Sequence, residues 1–262
     1  VVCNGCTDGT VALARAARGV QVVELDRAGK ALALNAGDAA AGDAYPRLYV
    51  DADLRLTVDD LAVVLAALAT PGPVLAAPRA TFDLDDAPWL VRSYYGALGE
   101  LPFFVRHFDA HFEGHGMYGL TEAARRRFGA FPDLVADDAF VDRMFDPDEK
   151  VLVGAATVGV PVPHDAATFL RAHVRTAAGS RELGEWLRAA HPDRLVTSDT
   201  HADPTAPLYV RLWHHARNGG LVASRHPRSL GRLCVYLAVE AYVRVTVSLR
   251  RRRGRRTAAT WR

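Results

Sequence analysis

Short apolar runs alternate with stretches of helical period through the first third of the chain. Val1–Cys3 and Val20–Leu25 read as strands, and the helix between them, Thr10–Arg18, is closed by Gly19. Lys30–Ala41 repeats its small apolar residues with a helical period and leaves through Gly42 and Asp43. Arg47–Asp51 is a third strand, Thr57 caps a helix over Val58–Leu68, and Pro71-Gly72-Pro73 turns the chain into strand Val74–Ala77. Strands separated by helices of this length predict an α/β fold with a doubly wound, mostly parallel sheet flanked by helices.

After Pro78 the rhythm changes. A helix is expected over Leu90–Leu101, an irregular stretch over Phe103–His115, a short strand at Met117–Leu120 and a helix over Thr121–Phe128 capped by Thr121. Asp138–Phe145 reads as a short helix, and Val151–Val160 as one or two strands interrupted by Gly154 and Gly159. Helices near Thr168–Ala178 and over Arg181–Ala190 precede Pro192; Leu195–Ser229 is loop-rich, and Arg232–Leu249 is amphipathic. The expected organisation is a main domain over 1–190 and a loop and helix extension over 191–262 with an Arg-rich tail.

Composition narrows the function classes. The chain has 262 residues, half of them hydrophobic, and a net charge of +2. Six arginines at 250–253, 255 and 256 supply more than that, so the remainder stands at −4. A mildly acidic body with its positive charge gathered in a tail argues against nucleic acid as a partner. The three cysteines, Cys3, Cys6 and Cys234, are too few for a disulfide scaffold and fit a reducing, cytoplasmic setting. Cys3-Asn-Gly-Cys6 has no second pair to complete a zinc site, so two small thiols around a turn are the simpler reading. Glu240 and Arg244 interrupt the most apolar helix, which therefore does not read as membrane-spanning. That helix and the arginines after it fit either peripheral attachment to the inner, anionic membrane face or packing on the body with a solvated tail.

The chemistry is concentrated where the strands end. Asp51 and Asp53 follow Leu48-Tyr49-Val50 with one residue between them, so they project from the same face as the strand runs out. Ligands of open α/β sheets bind in that crevice, and two carboxylates there suit a hard cation, Mg²⁺ or Mn²⁺, that also holds phosphates. Taken alone, the pair is a weak signal, and a solvated turn leading into the helix near Thr57 is the simpler reading. Asn4 and Asp8 stand between a strand and a helix N-terminus, a place that favours an anion or merely caps the helix. Asp137 and Asp138 start a helix, where acids also favour the dipole.

Taken in order, these segments resemble the family-2 glycosyltransferases, which have the GT-A fold. Asn4-Gly5-Cys6-Thr7-Asp8-Gly9-Thr10 is similar to that family's nucleotide-binding turn, and Lys30-Ala31-Leu32-Ala33-Leu34-Asn35-Ala36-Gly37 to its lysine, asparagine and glycine helix. Val50-Asp51-Ala52-Asp53 stands in the place of its metal-binding D-x-D. Gly114-His115-Gly116-Met117-Tyr118-Gly119-Leu120-Thr121 resembles its acceptor strand, and Ala136-Asp137-Asp138-Ala139-Phe140 its acidic pair. The family's opening strand, with its asparagine-bearing turn, has no counterpart, so the expectation is a GT-A-like domain whose first strand is missing.

The resemblance implies transfer of a sugar from a nucleotide-diphosphate donor to an acceptor that is a carbohydrate, a lipid-linked carrier or a small molecule. By that analogy Asn4, Asp8, Lys30, Asn35, Asp51 and Arg175 face the nucleotide-sugar, and Gly116, Met117 and Tyr118 face the acceptor. Asp53 and Asp51 hold the metal, with His164 as the expected third ligand, and Asp138, beside Asp137, is the base of an inverting reaction. Only Arg175 fits the processive members' Q-x-x-R-W element, with Thr176 in place of Trp, which disfavours polymer synthesis. A histidine trio at 107, 111 and 115 is a weaker zinc candidate, because glycines flank His115. Two other readings remain: a catalytically impaired homologue or scaffold that binds nucleotide-sugar, and a haloacid dehalogenase-like phosphatase. The phosphatase needs a lysine between its acidic motifs; Lys30 precedes Asp51 and Lys150 follows Asp138.

Overall fold

The computed structural model describes residues 1–100, 115–194 and 227–252. In chain order these form β1 (Val2–Asn4), α1 (Thr10–Ala16), β2 (Val23–Leu25), α2 (Lys30–Ala41), β3 (Arg47–Val50), α3 (Val58–Ala69), β4 (Leu75–Phe82) and α4 (Trp89–Glu100). They continue with β5 (Met117–Leu120), α5 (Glu122–Arg125), α6 (Asp137–Arg143), β6 (Lys150–Val160), α7 (Ala166–Ala190) and α8 (Pro227–Arg252).

The strands form two sheets. β1 and β2 pair in parallel, while the larger sheet has the order β3-β5-β4-β6. Within it β4 and β6 are parallel, as strand–helix alternation predicts, but β5 lies between β3 and β4 and pairs antiparallel with both. The sheet is therefore mixed. β5 is buried at all four positions, and Gly119 keeps it thin: a Cβ there would meet Leu48 Cδ2 at 2.6 Å and Leu68 Cδ1 at 2.7 Å.

Several element boundaries differ from the sequence expectation, each for a local reason. β4 does not end at Ala77 but runs through Pro78 to Phe82, and the β4–β6 register shifts between Pro78 and Arg79. A proline offers no N–H to the ladder, so the irregularity falls where a donor is missing. β6 is one strand of 11 residues despite its two glycines. The two helices expected between Thr168 and Ala190 are one helix of 25 residues. Gly179 is kept inside it by packing: an added Cβ would lie 2.9 Å from Val135 Cβ, so the glycine lets the segment before α6 close on α7. The helix expected over Thr121–Phe128 shrinks to the single turn of α5, with Thr121 accepting from Ala124 N as its cap. The irregular stretch over 103–114, the loop-rich 195–226 and the tail beyond 252 lie outside the described residues.

Three hydrophobic clusters tie these elements together. One joins Tyr49, Tyr118, Phe131, Phe140 and Leu183 between β3, β5, α6 and α7. A second fills the space between α3 and the sheet around Val64, Ala76, Met117 and Ala156. The third packs α4, α7 and α8 through Val91, Tyr94, Phe169, Val174, Tyr236, Val239 and Val243. Each fully buried large side chain contributes roughly 1.5–3 kcal/mol. The C-terminal helix therefore shares a core with the α/β body.

Candidate active site

Lys30, the first residue of α2, sits at the centre of the site. Asn4, at the end of β1, accepts from Gly29 N through Oδ1 at 2.8 Å and so fixes where α2 begins. From that start the Lys30 ammonium donates to Asp51 Oδ2 at 3.0 Å and to Asp137 Oδ1 at 2.8 Å. One cation thus joins the end of β3 to the start of α6, two segments far apart in sequence. Its side chain is only 17% exposed, and that of Asp137 only 5%. Burial opposes the charged ammonium, but Asp137, Asp51 and Asp138 outweigh it and hold Lys30 above its ordinary pKa.

The carboxylates respond to one another as well. Asp137 is pushed up to about 6, first by burial and then by the negative charges of Asp138 and Asp51, with Lys30 working against both. Asp51 is also raised: burial is the largest cause, Lys30 opposes it, and Asp138 and Asp53 add to it. The four acids at 51, 53, 137 and 138 therefore share one electrostatic site. Asp138 is half-buried and accepts from Ala139 N at 2.8 Å, which leaves its second carboxylate oxygen for another partner.

Gly116 sets the floor of this site. It accepts the Asp51 backbone N–H at 2.8 Å and has a φ of +82°, and a Cβ there would stand 2.8 Å from Asp51 Oδ2. Only glycine meets both conditions at once. Next to it, Met117 and Tyr118 are buried in β5. The Tyr118 hydroxyl has no hydrogen-bond partner among the described residues. Burial raises its pKa well above the usual phenol value, and the charges of Asp137, Asp138 and Asp51 push it further. A phenol this close to three carboxylates is a donor without an acceptor.

Other sequence-selected residues lie on the elements around this cluster. Asn35 spends both ends of its amide on the Phe131 backbone, donating to the carbonyl at 3.0 Å and accepting from the N–H at 2.8 Å. It clamps the Phe131 loop to α2 through both ends of the amide. Asp8 is exposed, accepts from Thr10 N at 3.0 Å, and is lowered in pKa by its bonds from Thr10. Arg175 is half-buried on α7. His164 is exposed, beside the Asp165 that caps α7. Among the described residues no three His, Cys, Asp or Glu side chains are grouped to hold a metal ion, so His164 does not complete a set with Asp51 and Asp53. Of the histidine trio only His115 is described; it stacks edge-on against Phe82.

A second polar cluster was not anticipated. Asp38, on α2 two turns beyond Lys30, accepts from Arg47, from the Tyr49 hydroxyl at 2.7 Å and from Arg125 Nε at 2.8 Å. Arg125 also donates to the carbonyls of Phe128 and Gly129. Sequence offered one signal: an acid inside a helix otherwise rich in alanine. Asp38, Arg47 and Arg125 line an open cavity of about 410 Å³ with Tyr45, Phe128 and Ala130.

Residues 1–130 match the model for Glycosyl transferase family 2. The chain belongs to glycosyl transferase family 2. Its fold is the GT-A-like α/β arrangement of that family, with a helical C-terminal segment. Among solved structures it is similar to the mannosyltransferase PcManGT from Pyrobaculum calidifontis, solved in complex with GDP-Man and Mn²⁺. The two are 19% identical with a TM-score of 0.55, over 95% of this chain and 70% of that one. A mycobacterial protein is 20% identical with a TM-score of 0.42, over 70% of this chain and 63% of that one. No curated protein matches. As a family-2 glycosyltransferase, the chain uses a nucleotide-sugar. None of its described helices is long and apolar enough to cross a membrane.

Proposed function

We propose that this glycosyltransferase moves a sugar from a nucleotide-diphosphate donor to an acceptor hydroxyl with inversion, using Asp138 as base and Asp53 with Asp51 for a divalent cation. The observation that carries the reading is the shared electrostatic site of Asp51, Asp53, Asp137 and Asp138 around Lys30. Two carboxylates and a diphosphate are a fitting donor set for Mg²⁺ or Mn²⁺, which usually bind through one or two acids plus substrate phosphates. The GDP-Man and Mn²⁺ bound to PcManGT make a GDP-sugar with Mn²⁺ the first combination to test. Once bound, such an ion supplies Lewis-acid neutralisation of the leaving diphosphate.

The chain's own residues do the rest. Asp138 takes the proton of the acceptor hydroxyl as its oxygen bonds to the anomeric carbon, while the bond from that carbon to the diphosphate breaks. A positioned base of this kind is worth about 10²–10⁴-fold. Asp137 and Lys30 hold the base's helix against β3, so the base and the donor end of the site keep one geometry. Lys30, Asp8 and Arg175 are the proposed donor contacts, and Gly116, Met117 and Tyr118 the acceptor side.

Titration calorimetry with GDP- and UDP-sugars, with and without Mn²⁺, tests this together with two variants. Asp53→Ala is expected to abolish the metal-dependent part of donor binding. Asp138→Asn is expected to slow transfer at least a hundredfold while donor affinity stays within a factor of about two. Unchanged metal-dependent binding in the first, or full activity in the second, removes that residue from its role.

A further inference from the structure

The helix α8 is built the wrong way round for a surface helix. Between its two ends, its charged residues turn toward the body. Arg232 lies over Gly96 of α4, where an added Cβ would meet its guanidinium carbon at 2.9 Å. Glu240 accepts from the Tyr94 hydroxyl at 3.3 Å, and the Arg244 guanidinium lies 4.0 Å from the same carboxylate. The outward face is uncharged instead. Of the exposed residues between Ser229 and Arg250, none is Asp, Glu, Lys, Arg or His, and among them Leu230, Tyr242, Val245 and Leu249 are 50%, 51%, 58% and 48% exposed. With Cys234 and Ala238 they follow a helical spacing, so they make one stripe along about five turns.

Charge marks the ends of the stripe. Arg228 is exposed at its start, and Arg250, Arg251 and Arg252 are exposed at its end, with Arg251 also bonded to Glu185 of α7 at 2.7 Å. In sequence, six of the seven residues from 250 to 256 are arginine. An apolar helical face bordered by concentrated positive charge matches an anionic bilayer surface, where side chains sink into the acyl boundary and arginines meet headgroup phosphates. A protein partner would account for the apolar stripe but not for arginine gathered at its end.

We propose that the outward face of α8 docks the enzyme on an anionic lipid surface, lying in the plane of the interface without spanning it. This goes beyond the transferase reading and does not depend on it.

Flotation of the full chain with vesicles of neutral phosphatidylcholine, and of phosphatidylcholine with about one third phosphatidylglycerol, provides the test. The wild type is expected to float with the anionic vesicles and largely stay behind with the neutral ones. Each interfacial arginine is worth about fivefold in partitioning, so Arg250→Gln, Arg251→Gln and Arg252→Gln together should weaken binding on the order of a hundredfold. Val245→Glu with Leu249→Glu should abolish flotation while leaving the melting temperature unchanged, because both side chains already face water. Absence of flotation on anionic vesicles would overturn the proposal. So would equal flotation of the wild type and the double glutamate variant. A wild-type dimer that the double variant converts to monomer, with no lipid binding by either, would assign the face to a second copy of the chain.

Discussion

Replacing Lys30 by Met isolates the electrostatic arrangement on which the site rests. The substitution keeps most of the side chain's length and apolar stem but removes the charge bonded to both Asp51 and Asp137. Breaking a buried ion pair by deleting one partner typically costs about 3–5 kcal/mol. Here the cost is smaller, because Asp137 can escape by taking a proton. Its pKa is about 6 even beside Lys30, so holding a proton at pH 7 costs no more than about 1.4 kcal/mol. Asp51 is half exposed to water and adds little. The expected loss at pH 7 is therefore about 1–2 kcal/mol, a fall of about 3–6 °C in melting temperature for a chain of this size.

The sign of the pH dependence makes the prediction specific. A carboxyl whose native pKa lies above its unfolded value contributes stability that is complete below the unfolded value and is lost as pH rises through the native one. Removing Lys30 raises the native value of Asp137 further, so the variant loses more stability than the wild type between about pH 5 and 8. Urea titrations at pH 5, 6.5 and 8 should show the difference growing from near zero to about 2–3 kcal/mol. A difference that stays constant across that range, or shrinks as pH rises, would refute the role of Lys30 as counter-ion to a strained acidic cluster.

Gly116→Ala combines a disfavoured φ with a collision against Asp51, so metal-dependent donor binding measured by calorimetry should fall at least tenfold, with a stability loss of about 1–2 kcal/mol. Tyr118→Phe removes a buried hydroxyl with no described partner, an unpaired group that costs about 1–3 kcal/mol. Its melting temperature should therefore rise or hold, and a concurrent fall in transfer rate would mark the hydroxyl as serving the acceptor; a lower melting temperature contradicts the orphaned state. Asp38→Asn leaves the buried guanidiniums of Arg47 and Arg125 without their shared charge, and denaturant titration should register a loss of about 3–5 kcal/mol. His173 is held below its ordinary pKa, mainly by burial, with the Phe169 carbonyl and Glu240 opposing. A group depressed in this way costs stability as pH falls from about 6.5 through its native value, so His173→Phe should flatten the loss of stability on acidification below pH 6.5.

Sequence by itself carried the order of strands and helices and the family motifs, because both are local. A helical period, a Thr57 cap or an Asp-x-Asp after a strand is written in neighbouring residues. Tertiary structure decided what those residues do. Asn35 and Asp137 look alike as polar positions in helical segments, yet one clamps a loop and the other is a buried acid held by a lysine 107 positions away. The antiparallel insertion of β5 and the unbroken α7 were equally out of reach, since Gly119 and Gly179 are explained only by the side chains pressed against them. Spacing fixes which side of an element a residue occupies. The charge and packing that residue meets come from distant parts of the chain, and these set its pKa, its partners and its chemistry.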